Sequence, residues 1–176
     1  MSRVGPAQLM LADIAAEAGL TPGALVQRFG SKRDLLLAVS ARAARTTPAM
    51  FAELRAAHVS PLATLRAYAD CMAAMGESAD ALAHHLAYLQ LDLTEPDFHR
   101  HTMTQARATR AALRELVVAA IDAGELASSV DPDSLARTIE VTVGGSLMAW
   151  AFYREGKAVD WVRDDLDAVL RPYVRD

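Results

Sequence analysis

The chain has 176 residues, of which 52% are hydrophobic, 23% charged and 6% aromatic, with a formal net charge of −4. That balance excludes a disordered chain, and a single cysteine, Cys71, excludes an internal disulfide framework or a cysteine-based zinc site and fits a reducing cytosol. The longest uncharged stretch, 141–153, falls short of the roughly 20 apolar residues that span a bilayer, and the first residues lack the pattern of a signal peptide, so the expected location is cytoplasmic.

Helix is predicted throughout, because alanine and leucine dominate and neither alternating β-branched runs nor hairpin turn dipeptides occur. Gly19 ends the first clear helix. Thr21-Pro22 opens the next as cap and first helical residue. Ser31 with Asp34 resembles a capping box, and the helix it opens turns Leu35, Leu36 and Val39 toward a core, with Pro48 ending or kinking it. Ser60-Pro61 opens a helix to Gly76, and Ser78 caps another to about Leu93. A long helix then starts at Thr94-Glu95-Pro96-Asp97, with acidic residues where the helix dipole favours them, and closes at Gly124. Asp131-Pro132 opens a helix with Leu135, Ile139, Val143, Leu147 and Trp150 on one face, ended by Gly156. Asp160 caps the last, which carries Val162, Leu166, Val169, Leu170 and Tyr173 on one side.

Charge is unevenly spread. Residues 1–46 hold six basic side chains (Arg3, Arg28, Lys32, Arg33, Arg42, Arg45) against three acidic ones (Asp13, Glu17, Asp34), whereas the rest holds 12 basic against 19 acidic. A basic head on an acidic body points to a nucleic-acid partner for the head alone.

Residues 11–29 have the spacing of a helix-turn-helix. Ile14, Ala15 and Ala18 face inward, and small Ala15 lets a second helix cross closely. Gly19 can take the positive φ of the turn, and Leu20, Leu25 and Phe29 anchor the second helix. Thr21, Pro22, Gly23, Val26, Gln27 and Arg28 are left facing out, as on a groove-reading helix.

The pattern Asp13-Ile14-Ala15 through Ala18-Gly19-Leu20-Thr21, followed by Gly23, Leu25 and Phe29-Gly30-Ser31-Lys32-Arg33-Asp34-Leu35-Leu36, resembles the TetR family of bacterial transcriptional regulators over residues 11–39. Asp122–Leu126, Asp131–Ala136 and the helix holding Gly144-Gly145 and Trp150 are similar in plan to that family's regulatory domain. The resemblance implies that the helix from Thr21 to Phe29 enters the DNA major groove. Thr21 and Lys32 would then match phosphate contacts, while Gln27 suits an adenine edge and Arg28 a guanine or a phosphate. Two positions depart from the pattern: Val26 stands where a phosphate-binding Tyr is common, and Pro22 where Lys is often found.

A further departure lies at the start. Family members begin with a helix that closes the DNA-binding domain, yet only twelve residues precede Asp13, Gly5-Pro6 among them. The expectation is a domain lacking most of its first helix, through a start codon recorded too late (the favoured account) or a natural absence. Ile14, Leu25, Phe29 and Leu36 would lose apolar cover. At roughly 25 cal/mol per Å², ~200 Å² of lost burial costs about 5 kcal/mol, which would weaken DNA binding by this chain.

For the body, the resemblance implies a homodimer formed by the last two helices through Gly144, Gly145, Leu147, Trp150, Val162, Leu166 and Val169; packing of both helices inside one subunit stays open. It also implies a site for a small apolar or amphipathic effector among Tyr68, Met72, Met75, His85, Tyr88, Leu89, Met103 and Arg107, since methionines suit adaptable pockets. A plain core is the alternative. Ligand binding would favour a conformation whose recognition helices no longer match the DNA half-sites.

Enzyme and metal readings find little support. His84-His85 and the run Glu95, Asp97, His99, His101 hold one correctly spaced pair, Glu95 with His99, but His99 and His101 point to different sides of a helix. No Gly-x-Ser-x-Gly motif occurs. No catalytic residue, metal or cofactor is expected. The sequence therefore reads as an all-α protein with a helix-turn-helix domain over 1–46 and a regulatory and dimerisation domain over 47–176. Its expected partners are operator DNA, a second copy and the effector, with no membrane. The alternative is a helical ligand-binding or interaction dimer that does not bind DNA.

Overall fold

Five of the described helices open on a side-chain cap. In a computed structural model, which describes residues 5–76 and 78–175, the helices are α1 (Leu11–Glu17), α2 (Pro22–Phe29), α3 (Lys32–Ala57), α4 (Pro61–Ala73), α5 (Ala79–Thr94), α6 (Pro96–Asp122), α7 (Pro132–Tyr153) and α8 (Ala158–Leu170). Arg3, counted above in the basic head, lies outside the described residues. The hydroxyls of Thr21, Ser60 and Ser78 accept from the backbone N–H three residues on, at 3.2, 3.2 and 3.0 Å. Each satisfies an amide that the first turn leaves unpaired. At Ser31 the box closes in its own way: the hydroxyl accepts from the Asp34 N–H at 3.1 Å and donates to the Asp34 carboxylate at 2.6 Å.

Three expected boundaries differ. Pro48 does not end α3, which continues to Ala57. Proline brings no N–H to the Ala44 carbonyl, while the adjacent Thr46 and Thr47 hydroxyls donate to the Arg42 and Ala43 carbonyls at 3.1 and 3.0 Å. Second, α7 ends at Tyr153, before Gly156, because Arg154 adopts the left-handed conformation at φ 56°. Two indoles hold the turn there: Trp150 donates to the Gly156 carbonyl and Trp161 to that of Glu155. Third, Asp160 lies within the first turn of α8, whose cap position is Lys157.

The body core gathers one stripe from each of α3, α4, α6, α7 and α8. Leu65, Leu113, Val117, Ile139, Val162 and Leu170 are fully buried there, and Phe51 of α3 stacks on Tyr68 of α4 with ring centroids 5.2 Å apart. The predicted faces of α7 (Leu135, Ile139, Val143, Leu147, Trp150) and α8 (Val162, Leu166, Leu170) point into it, whereas Tyr173 is exposed. A smaller cluster of Leu9, Leu36 and Phe98 sits where the first residues, α3 and α6 meet. Among the described residues, no helix is long and apolar enough to cross a membrane, and no group of three or more His, Cys, Asp or Glu could hold a metal ion.

Candidate nucleic-acid interface and regulatory core

α1 and α2 form the helix-turn-helix. Ala15 is fully buried at their crossing and Leu25 nearly so. Gly19 turns the chain at φ 65°, a conformation an L side chain rarely adopts. The inward set is smaller than expected. Ala18 is exposed because it caps α1 beyond its last full turn. Leu20, in the turn itself, is 47% exposed, and Val39 lies on the outer side of α3. Ile14 and Phe29 are half-buried, whereas Leu25 and Leu36 are buried, Leu36 under Leu9 and Phe98. Some of the apolar cover expected to be lost is thus supplied by Leu9, which precedes α1.

The outward set matches the expectation in position. Thr21, Pro22, Gly23, Val26, Gln27 and Arg28 are all exposed on α2, and Lys32 is half-buried on the first turn of α3. Thr21 uses an oxygen lone pair as a cap, so its hydroxyl proton is still available to a phosphate. Arg28 lies 5.5 Å from the Phe29 ring centroid. The Lys32 ammonium rests 3.5 Å from the Ala7 carbonyl. Exposed α2 therefore presents an amide, a guanidinium and a hydroxyl along one short helix.

Behind this surface, Arg33 joins head to body. Its Nε donates to Glu95 at 3.0 Å and its Nη2 to Asp97 at 3.2 Å, and its guanidinium lies 5.6 Å from the Phe98 ring centroid. The hydrogen bond from Arg33 holds the Asp97 carboxyl below its ordinary range, and the same two carboxylates raise Arg33. Arg100 adds a 2.9 Å bond to Asp97. The Glu95–His99 pair does not form a chelate, since Glu95 engages Arg33 and His99 Nδ1 lies 3.2 Å from the Asp92 carbonyl.

The eight candidate effector residues are dispersed. Tyr68 is buried in the body core, and Met72 and Met75 pack against it. Burial, with the Glu140 charge adding, pushes the Tyr68 hydroxyl well above the usual phenol range. Tyr88 packs on the smaller cluster near the head. His85 is half-buried, while Leu89, Met103 and Arg107 are exposed. Three surface clefts of about 410, 400 and 490 Å³ have none of the eight in their walls.

The candidate dimer residues also divide. Leu147, Trp150, Val162 and Leu166 are buried in the chain's own core, and Val169 is half-buried against it. Gly144 and Gly145 are exposed, with nothing within 4 Å of where a Cβ would stand. Beside them α7 exposes Val141, Met148 and Phe152, the last at 77%. The spacing of that stripe is helical, but α7 is apolar on several sides, so periodicity alone does not separate its outer face from its inner one. Arg33 likewise carried no sequence signal, because its partners lie more than 60 residues away.

The sequence profile described as "Bacterial regulatory proteins, tetR family" matches residues 1–39, and that described as "Tetracyclin repressor-like, C-terminal domain" matches residues 61–166. No curated protein matches the chain in sequence. Among solved structures, a TetR transcription regulator from Haloarcula marismortui is 18% identical, with a TM-score of 0.79 over 99% of this chain and 92% of that one. A putative transcriptional regulator from Saccharomonospora viridis in complex with choline gives the same four values. SmeT, the repressor of the Stenotrophomonas maltophilia multidrug efflux pump SmeDEF, is 24% identical, with a TM-score of 0.68 over 99% of this chain and 85% of that one. These likenesses show the same overall fold as the arrangement of the described residues. With profiles covering both head and body, the chain belongs to the TetR family of bacterial transcriptional regulators.

Proposed function

We propose that this regulator is a ligand-released repressor that binds a palindromic operator as a homodimer. The observation that carries the reading is α2, which packs on α1 and α3 and leaves Thr21, Gln27 and Arg28 exposed beside Lys32. Gln27 reads an adenine edge, Arg28 a guanine or phosphate, and Thr21 and Lys32 fix the register on the backbone. Because Pro22 and Val26 add no charge or hydroxyl, affinity rests on few phosphate contacts and falls less steeply with salt than it would with a full set.

Two copies pair through the exposed stripe Val141, Gly144, Gly145, Met148 and Phe152 of α7, with α8 alongside. The glycines let two α7 helices approach closely, and Phe152 and Met148 supply the apolar area. A two-fold dimer places two α2 helices about one DNA turn apart. A small apolar or amphipathic effector enters the body near Tyr68, Met72 and Met75, where flexible thioethers can rearrange around it. Choline in the Saccharomonospora regulator and the efflux-pump control by SmeT support a small-molecule signal for a body of this shape.

A gel shift of the purified chain on the DNA upstream of its own gene, at low salt, tests the reading. A shifted band that competitor DNA of scrambled sequence does not remove is expected. Absence of any shift overturns it, in favour of a ligand-binding dimer that has left DNA, a reading that the missing polar side chains at Pro22 and Val26 favour.

A further inference from the structure

We propose that Arg33 is a positioning residue for DNA recognition: its clasp on Glu95 and Asp97 fixes the orientation of the α1–α2 head on the body. The proposal rests on the reading of α2 as the groove-reading helix. Arg33 sits in the first turn of α3, three residues beyond Gly30, the C-cap residue of α2. Of its two carboxylate partners, Glu95 is the one-residue corner between α5 and α6 and Asp97 lies in the first turn of α6, either side of Pro96, whose ring fixes the backbone. A corner that short moves as a unit, so the clasp ties the end of the recognition helix to a rigid point of the body.

The surroundings make such a tie consequential. The clasp spans a cleft of about 400 Å³ between head and body, whose walls include Leu36, Leu91 and Phe98. Beneath it the apolar contact is a separate cluster of Leu9, Leu36 and Phe98 with partly buried Ile14, Leu37, Tyr88 and Leu91 around them. Each ion pair of the clasp is partly exposed, at 47% for Arg33 against 35% and 42% for its partners, and one such pair alone contributes little. A planar guanidinium held by two carboxylates and an aromatic face, however, specifies direction as well as distance. Orientation is what matters here, because base contacts are made only when both recognition helices meet their half-sites in register.

The carboxylate side of the clasp gives the test its sign. Glu95→Gln with Asp97→Asn removes two negative charges from the vicinity of the DNA-binding head. Simple electrostatics then predicts tighter binding to DNA, whereas loss of a clasp predicts weaker binding. We expect the double variant to bind the upstream DNA fragment roughly fivefold more weakly, Arg33→Gln to lose a similar factor, and the triple variant to lose no more than either. A direct readout needs no DNA: spin labels at Ala16→Cys and Arg137→Cys in a Cys71→Ser background, diluted with unlabelled chain, report the head-to-body distance. A single narrow distribution is expected for the parent, broadened in both the Arg33→Gln and the Glu95→Gln/Asp97→Asn chains. Unchanged distributions, or tighter or unchanged DNA binding by the double variant, overturn the proposal. If the parent chain shifts no DNA, the repressor reading fails by itself and the label distances still decide whether the clasp orients the head.

Discussion

Gly76 and Ala158 meet so closely that a Cβ added to Gly76 would lie 2.8 Å from the Ala158 Cβ, with Leu147 and Trp150 atoms at 3.3 Å. The contact brings the 3₁₀ turn after α4 onto the start of α8. Gly76→Ala should therefore overpack a tight site and cost about 1–3 kcal/mol. Thermal melting should fall by roughly 2–12 °C for a chain of this length, and Ala158→Gly in the same chain should restore part of the loss. An unchanged midpoint would show that the two helices can part freely.

On DNA, Gln27 and Lys32 should fail differently. Gln27→Ala should relax preference at one base pair of each half-site while leaving non-specific binding intact. Lys32→Ala should weaken binding to all sequences alike and reduce the slope of log affinity against log salt by about 1. Binding titrations at several salt concentrations, on the upstream fragment and on point-substituted versions of it, separate the two.

At the proposed dimer face, Gly145→Glu places a charge where nothing lies within 4 Å in the single chain. The fold should persist, helped slightly by the better helix propensity of Glu, while the dimer dissociates. Sedimentation velocity of the variant should give a monomer whose helical circular dichroism matches that of the parent. A variant that remains dimeric would move the interface away from α7.

Alkaline pH should act through Tyr68. Its hydroxyl is held protonated well above the usual phenol range, first by burial and then by the Glu140 charge. The unfolded chain releases that proton near pH 10, about the ordinary value. The stabilisation is thus complete below that pH and is lost as pH rises from there toward the folded value. Melting curves between about pH 9 and 11 should decline less steeply for Tyr68→Phe than for the parent.

Much of this architecture could be read from local chemistry. Thr21, Ser31, Ser60 and Ser78 announce their helices because a cap depends on residues only three apart. The outward face of α2 follows from the same short-range logic. What joins distant segments left no such mark. Leu9 reaches Leu36 and Phe98, and Arg33 reaches Glu95 and Asp97, through a packing that no local period encodes. Pro48 misleads for a related reason, since the propensity that would end a helix is overridden by the burial of Thr47, Phe51 and their neighbours. On α7, apolar residues occur on both the inner and outer sides. The stripe Leu147 and Trp150 therefore looked as fit for a partner as for the chain's own core.

Pro48 also bears on mechanics. The backbone hydrogen bond it omits lies partway along the one helix that runs from the head into the body, so bending stiffness is lowest there. At 1.5 Å per residue, the first turn of α3 stands roughly 24 Å from that point. Once the Arg33 clasp is open, a flexure of about 5° would carry Lys32 and Arg33 sideways by about 2 Å over such a lever, a displacement comparable to the reach of a single phosphate contact.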